Sequence, residues 1–179
     1  MSNRKLIEFG WDEPDPAFMR AHVPDMRSTP FDGCVFHPVA AHDDPPPNFT
    51  WQCWSDVRYE RDAFDVCVSD LRAANAEGGF QDNFLRFNTT PADIDWFDDY
   101  SAVAHNAEVA AHVAREGGCA GILFDIEQYN AQFFDYSALA ESAGRPWDEY
   151  AAQARVRGSE VMEAFQRGFP GLQVFLTFG

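Results

Sequence analysis

The sequence predicts an α/β protein whose strands form a parallel sheet. Five short apolar segments of β-favouring residues alternate with longer segments that have helical periodicity. The helical segments end at Gly78-Gly79, at Gly117-Gly118 and at Phe169-Pro170-Gly171, each just before a strand. Glycine is a common helix terminator because it adopts the left-handed conformation easily. The alternation is that of repeated β/α units, in which a helix connects each strand to the next parallel strand.

The predicted strands span residues 5–10, 32–37, 83–88, 121–127 and 172–179. The predicted helices span residues 16–26, 62–76, 101–116 and 147–167. The first helix follows Pro14 and several carboxylates, which suit a helix start. In the second, Phe64, Val68 and Leu71 recur at a spacing of three to four residues, which places them on one face.

The number of residues bears on which parallel fold this is. The chain has 179 residues, of which 46% are apolar, enough to bury one hydrophobic core. Strands start about 40 residues apart, so eight β/α units would need more than about 300 residues. We therefore expect residues 1–179 to form one domain, an incomplete (β/α) barrel of TIM type with strands 1–5 of eight. The alternative is a five-stranded flavodoxin-like sheet, which fits the length but normally has a final helix.

The net charge and hydropathy of the chain limit which partners and which cellular location we expect. Asp and Glu number 29 against 13 Lys and Arg, a net charge of -16, which repels nucleic acid and anionic membranes. No segment approaches the roughly 18 consecutive apolar residues of a membrane helix. The N-terminus lacks the apolar core of a signal peptide, so we expect a cytoplasmic protein, or a secreted or periplasmic one if a signal peptide precedes Met1.

Known cofactor motifs do not occur in the sequence. There is no GxGxxG, Walker, GxSxG, HExxH or EF-hand pattern, so we expect no cofactor. The four cysteines have no CxxC spacing and are predicted to be free thiols: Cys34, Cys53, Cys67 and Cys119.

Residues 39–59 form a long insertion after the second strand. The insertion contains four aromatic residues, Phe49, Trp51, Trp54 and Tyr59. In parallel α/β proteins, loops after strands lie at the carboxyl end of the sheet, where ligands bind. The aromatic residues could line such a site, or they could form a small satellite core beneath the loop.

The strongest candidate for chemistry is the strand at residues 121–127. Because side chains alternate along a strand, Leu123, Asp125 and Glu127 share one face. Two neighbouring carboxyls in apolar surroundings favour protonation of one of them, as a general acid requires. Alternatively, one carboxylate caps the next helix or pairs with Arg86.

Other strand ends supply candidate binding residues. Arg86 and Asn88 share a face of the third strand, and an inward Arg86 needs a carboxylate partner, which Asp125 or Glu8 could provide. The aromatic residues near strand ends offer flat faces for sugar rings, with packing as the alternative. A single histidine such as His37 is more often a hydrogen-bonded structural residue than a catalyst. The candidate binding residues are Tyr129, Arg86, Asn88, His37, Trp11, Glu8 and Trp96.

The segment Gly-Ile-Leu-Phe-Asp-Ile-Glu resembles the fourth-strand motif of glycoside hydrolase (β/α)8 barrels, most closely the chitinase-type DGxDxDxE strand. Asp125 matches the last Asp of that motif and Glu127 matches its catalytic Glu. Ala120 and Leu123 replace the two earlier Asp residues, which argues against an N-acetyl-directed mechanism. With the following x-Tyr, the segment is also similar to bacterial barrel proteins described as glycoside hydrolases. The resemblance implies that Glu127 protonates the glycosidic oxygen, while Asp125 orients Glu127 or stabilises the developing positive charge.

Three functions remain open at this point. The first is a hydrolase that cleaves a glycosidic bond of an oligo- or polysaccharide by carboxylate general acid/base catalysis. Its second carboxylate would be Asp125 or a residue of a later strand, beyond residue 179. The second is a barrel lyase or isomerase that holds Mg²⁺ or Mn²⁺ through Asp125, Glu127 and His37. The third is a glycan-binding domain without catalysis.

Overall fold

The sheet consists of five parallel strands in the order of the chain. The structure, a computed structural model, describes residues 4–10, 12–41, 49–91, 93–127 and 133–177. Each strand pairs with the next one in sequence. The strands are β1 (Ile7–Glu8), β2 (Gly33–Phe36), β3 (Phe84–Asn88), β4 (Gly121–Asp125) and β5 (Gln173–Leu176).

This strand order decides between the two predicted folds. Consecutive units of a (β/α) barrel place strands side by side in chain order, whereas a flavodoxin-like sheet has the order 2-1-3-4-5. The observed order is 1-2-3-4-5. The prediction of five strands of a TIM-type barrel is therefore confirmed, and the flavodoxin-like alternative is wrong.

Helices connect the strands, and the four predicted helices are all present. The described helices are α1 (Pro16–Arg27), α2 (Phe49–Gln52), α3 (Asp65–Ala76), α4 (Ser101–Glu116), α5 (Tyr136–Ala143) and α6 (Trp147–Gly168), with a 3-10 turn at Arg61–Phe64 before α3. The short helices α2 and α5 were not predicted. None of the helices in the described ranges has the length and apolar character needed to cross a membrane.

The two faces of the sheet have different environments. One face carries Phe36, Leu85, Phe87 and Ile122, which are fully buried in the main core with the helices. The opposite face begins with a small apolar cluster that includes Val35, Phe84 and Leu123. Towards the carboxyl ends of the strands that second face becomes polar, and this is where the candidate site lies.

The described part of the aromatic insertion contributes to the core. Phe49 and Trp54 are buried and pack against Phe87 with ring centroids 6.2 and 6.3 Å away. Trp51 is 42% exposed. Residues 42–48 of the insertion lie outside the described residues. Core packing therefore accounts for Phe49 and Trp54, whereas Trp51 is partly exposed.

Helix α1 begins with a cap that can be tested directly. The Asp15 carboxylate accepts a hydrogen bond of 2.7 Å from the backbone N–H of Phe18, and Pro16 occupies the first turn. We expect Asp15→Ala to lower the free energy of unfolding by about 1 kcal/mol, measured by urea denaturation. Asp25→Ala, at the opposite end of the helix, should cost nothing because a carboxylate is unfavourable there. Equal losses in both variants would contradict the capping role.

Candidate functional site

The candidate site lies at the carboxyl end of the sheet. Asn88 ends β3 and pairs in register with Asp125, which ends β4. Arg86 lies two residues before Asn88 and therefore on the same face. Glu127 follows β4, and Thr177 follows β5 at the same edge. Parallel pairing thus brings side chains from three consecutive strands together, as the sequence predicted for Arg86, Asn88 and Asp125.

Arg86 is the centre of this polar network. Its side chain is only 6% exposed, and each of its three guanidinium nitrogens has a partner. Nε donates to Asn88 Oδ1 at 2.7 Å, Nη1 to Glu13 Oε1 at 2.9 Å, and Nη2 to Asp125 Oδ2. Burial alone would lower the pKa of Arg86, but the Glu13 and Asp125 carboxylates raise it. Arg86 is therefore a fixed cation that ties β3, β4 and the loop after β1 together.

The partners of Arg86 differ in part from those expected. The sequence suggested Asp125 or Glu8, and the pairing with Asp125 is confirmed. The second carboxylate comes from Glu13, in the acidic segment before α1, which is not among the predicted binding residues. Thr177 was also missed, although it lies within the predicted fifth strand, residues 172–179, and directly after β5 in the structure.

Asp125 is held on both of its carboxylate oxygens. The residue is 1% exposed. Oδ2 accepts from Arg86, while Oδ1 accepts from the Thr177 hydroxyl at 2.8 Å and from the Glu127 backbone N–H at 3.0 Å. A carboxylate occupied in this way is stabilised in its place and is poorly suited to attack a substrate. This geometry favours the orienting role of Asp125.

Glu127 is the carboxyl next to this fixed network. It lies two residues after β4 ends at Asp125, and not on the strand as predicted; it is partly exposed, and its backbone N–H donates to Asp125 Oδ1. The main chain of Glu127 is therefore fixed, while the residue stays partly exposed at the carboxyl end of the sheet. Of the predicted companions, Tyr129 and Trp11 lie outside the described residues.

Glu8 and His37 lie beside Glu13 on the other flank of the site. A cavity of about 380 Å³ separates the ends of β1 and β2 from α1. Burial raises the pKa of Glu13 to about 6, with Arg86 opposing the shift and Asp125 and Glu8 adding to it. Burial also raises the pKa of Glu8 and lowers that of His37. The cavity is lined by Glu8, Asp12, Glu13, Pro14, Asp15, Phe18, Met26 and His37.

Trp96 is packed inside the protein. It is 7% exposed, and its indole stacks on Phe133 with the ring centroids 4.1 Å apart. The indole N–H donates to the Phe133 carbonyl at 3.0 Å. These contacts match the packing interpretation and leave little of the ring for a sugar.

Asn88 retains one hydrogen-bonding group without a protein partner. The residue is fully buried and its Oδ1 accepts from Arg86, but Nδ2 has no partner among the described residues. A buried donor without an acceptor costs about 1–3 kcal/mol. Water or a substrate oxygen could satisfy this group.

The predicted metal ligands are not assembled. Within the described ranges there is no group of three or more His, Cys, Asp or Glu residues placed to hold a metal ion. Both carboxylate oxygens of Asp125 are bound by protein donors, and His37 lies in the cavity with Glu8 and Glu13. The described cysteines, all four buried and free, do not join the site.

Comparisons with known proteins add one structural similarity. No protein-family model matches the chain, and no curated protein is significantly similar to it. Among solved structures, the chain is similar to the crystal structure of a GH5_18 variant from Streptomyces cattleya in complex with Manb1-4GlcNAc. The identity is 15% and the TM-score 0.44, over 90% of this chain and 39% of that chain. The chain thus spans about two fifths of that structure, and a similarity of this degree carries no argument about function.

Proposed function

We propose that the chain carries the general acid of a carbohydrate-active hydrolase that cleaves a glycosidic bond. The observation that carries the proposal is the placement of Glu127. It is a partly exposed carboxyl at the carboxyl end of a parallel sheet, and its backbone is held by a buried network of Arg86, Asp125 and Thr177. Active sites of (β/α) barrels lie at this end of the strands.

Hydrolysis of a glycosidic bond needs a proton on the departing oxygen. A carboxyl within hydrogen-bonding distance of that oxygen supplies the proton in the transition state. In the proposed mechanism Glu127 is this acid, and Asp125 is the positioning residue that fixes its main chain. Preorganised placement lowers the barrier because the acid does not have to be oriented during the reaction.

The second catalytic carboxylate is a separate question. Retaining enzymes place it about 5–5.5 Å from the acid and inverting enzymes about 6.5–9.5 Å. Asp125 and Glu13 are both paired with the Arg86 guanidinium, so neither is placed to act as this second group. Among the described residues we therefore propose only the general acid, Glu127, and the residues that hold it in place.

An oligo- or polysaccharide is the proposed substrate class. The cavity beside the site is lined by carboxylates and His37, groups that bind sugar hydroxyls, and Asn88 Nδ2 adds a donor that has no partner among the described residues. Trp11 and Tyr129 remain the proposed stacking residues. The metal-dependent alternative has no support from a ligand set in the described residues.

Turnover of glycans by the purified chain tests the proposal. Wild-type protein and Glu127→Gln, purified in parallel, are incubated with a panel of oligosaccharides at pH 4–8, and new reducing ends are measured. We expect release by the wild type, unchanged by EDTA, and its loss in the variant. Binding without turnover would instead indicate a glycan-binding domain, and loss of activity in EDTA would indicate metal-dependent chemistry. Equal release by both proteins would also contradict the proposal.

A further inference from the structure

We propose that Glu13 is a positioning residue of this site, which holds Glu127 through Arg86 and Asp125 and loosens that hold when its carboxylate is protonated. The consequence for catalysis rests on the proposed function of Glu127. The hydrogen-bonded connection between Glu13, Arg86, Asp125 and Glu127 does not rest on that function, because it is a property of the folded chain.

An unbroken series of hydrogen bonds connects Glu13 to Glu127. Glu13 Oε1 accepts from Arg86 Nη1 at 2.9 Å, Arg86 Nη2 donates to Asp125 Oδ2, and Asp125 Oδ1 accepts from the Glu127 N–H at 3.0 Å. The side chains of Glu13, Arg86 and Asp125 are 4%, 6% and 1% exposed. Water therefore cannot easily replace any of the partners.

The backbone around Glu13 gives this series a fixed starting point. The carbonyl of Pro14, the next residue, accepts from the His37 N–H at 3.2 Å, which ties the loop to the end of β2. Asp15 then caps α1. Both attachments lie directly after Glu13, so the main chain that follows Glu13 is held in place while its carboxylate bonds to Arg86.

The charged and titratable surroundings of Glu13 come from every neighbouring element. Arg86 is the cation that pairs with it, and burial together with the nearby carboxylates disfavours its ionised form. Protonation removes one of the two anions that hold Arg86 and leaves a weaker hydrogen bond in which only the guanidinium is charged. The groups facing Glu13 are Glu8 on β1, Cys34 and His37 on and after β2, Arg86 on β3, Asp125 on β4, and Asp12 and Asp15 before α1.

Two variants separate the charge of Glu13 from its hydrogen bond. Glu13→Gln keeps an oxygen that can accept from Arg86 but removes the titrating charge. Asp12→Asn is the matched control, because Asp12 lies in the same loop, is exposed and lines the same cavity. It removes a carboxylate at almost the same place without altering the pairing of Glu13 with Arg86.

The backbone amide of Glu127 reports on the connection without any substrate. In ¹⁵N-labelled full chain, we expect the Glu127 amide shift to follow a transition near pH 6, the pH at which Glu13 titrates. The transition should persist in Asp12→Asn and disappear in Glu13→Gln. It should also persist at residue 127 in Glu127→Gln, which excludes titration of the Glu127 side chain as its source. A transition that persists in Glu13→Gln, or is missing in the wild type, would overturn the proposal.

Glu13→Gln has a separate consequence for catalysis. If the chain hydrolyses a glycan, Glu13→Gln should lower kcat by up to about 10²-fold with little change in KM, because the acid is less well oriented. The step near pH 6 in the wild-type rate profile should be absent from this variant. If hydrolysis depends on Glu127 but the Glu127 amide shift shows no transition near pH 6, only the proposed role of Glu13 is overturned. If the Glu127 amide shift shows the transition but the protein hydrolyses no glycan, only the hydrolase proposal is overturned.

Discussion

Replacement of Glu127 by glutamine is expected to lower kcat for glycan hydrolysis by about 10²- to 10⁴-fold, with little change in KM. Glutamine has nearly the same shape as glutamate but cannot donate the proton that the departing oxygen needs. The backbone N–H of residue 127 can still bind Asp125, so the network that supports the site stays intact.

A matched substitution elsewhere controls for nonspecific effects. Glu163→Gln removes one exposed carboxylate from α6, near the end of the helix that leads to the start of β5 and not to the carboxyl ends of the strands. We expect this variant to retain wild-type kcat and KM. A loss of the same size in Glu163→Gln, or full activity in Glu127→Gln, would contradict the role of Glu127 as the acid.

Replacement of Arg86 by methionine is expected to lower the free energy of unfolding by about 3–5 kcal/mol at pH 7. Methionine fills a similar space, so the loss reflects the charge and hydrogen bonds of the guanidinium. Without it, the buried carboxylates of Glu13 and Asp125 face each other with no cation between them. Urea denaturation measures the difference, and the loss should shrink as the pH falls and Glu13 becomes protonated.

Two further variants make this stability experiment specific. Arg115→Met removes an arginine whose side chain is 42% exposed and pairs with Glu116, and it should cost less than about 1 kcal/mol. The triple variant Glu13→Gln, Arg86→Met, Asp125→Asn should regain part of the stability lost in Arg86→Met, because no buried charge remains unpaired. Equal losses in Arg86→Met and Arg115→Met would show that the buried network has no special role.

The sequence was sufficient for the parallel fold because the signals involved are local and periodic. Strand-forming runs, helical periodicity and glycines after helices identified the long elements, and chain-order pairing follows when each helix crosses to an adjacent strand. The helices α2 and α5 were missed because four and eight residues are too few to show a helical period.

The site was predictable only where it lies on strands. Alternation placed Arg86, Asn88 and Asp125 on one face, and their contacts follow from that placement. Glu13 lies in a loop and meets Arg86 at a sequence separation of 73, so no periodicity points to it. Trp96 shows the converse, because closeness to a strand end in sequence did not reveal that Phe133 covers its ring.

Whether Glu127 donates a proton is tested most directly by how its replacement affects substrates with different leaving groups. A dinitrophenyl glycoside releases a phenolate that needs no protonation, whereas an oligosaccharide of the same sugar releases an alkoxide that does. For Glu127→Gln we expect kcat/KM to fall by about 10²- to 10⁴-fold on the oligosaccharide and by less than about tenfold on the dinitrophenyl glycoside. Equal losses on both substrates would contradict the assignment of Glu127 as the general acid.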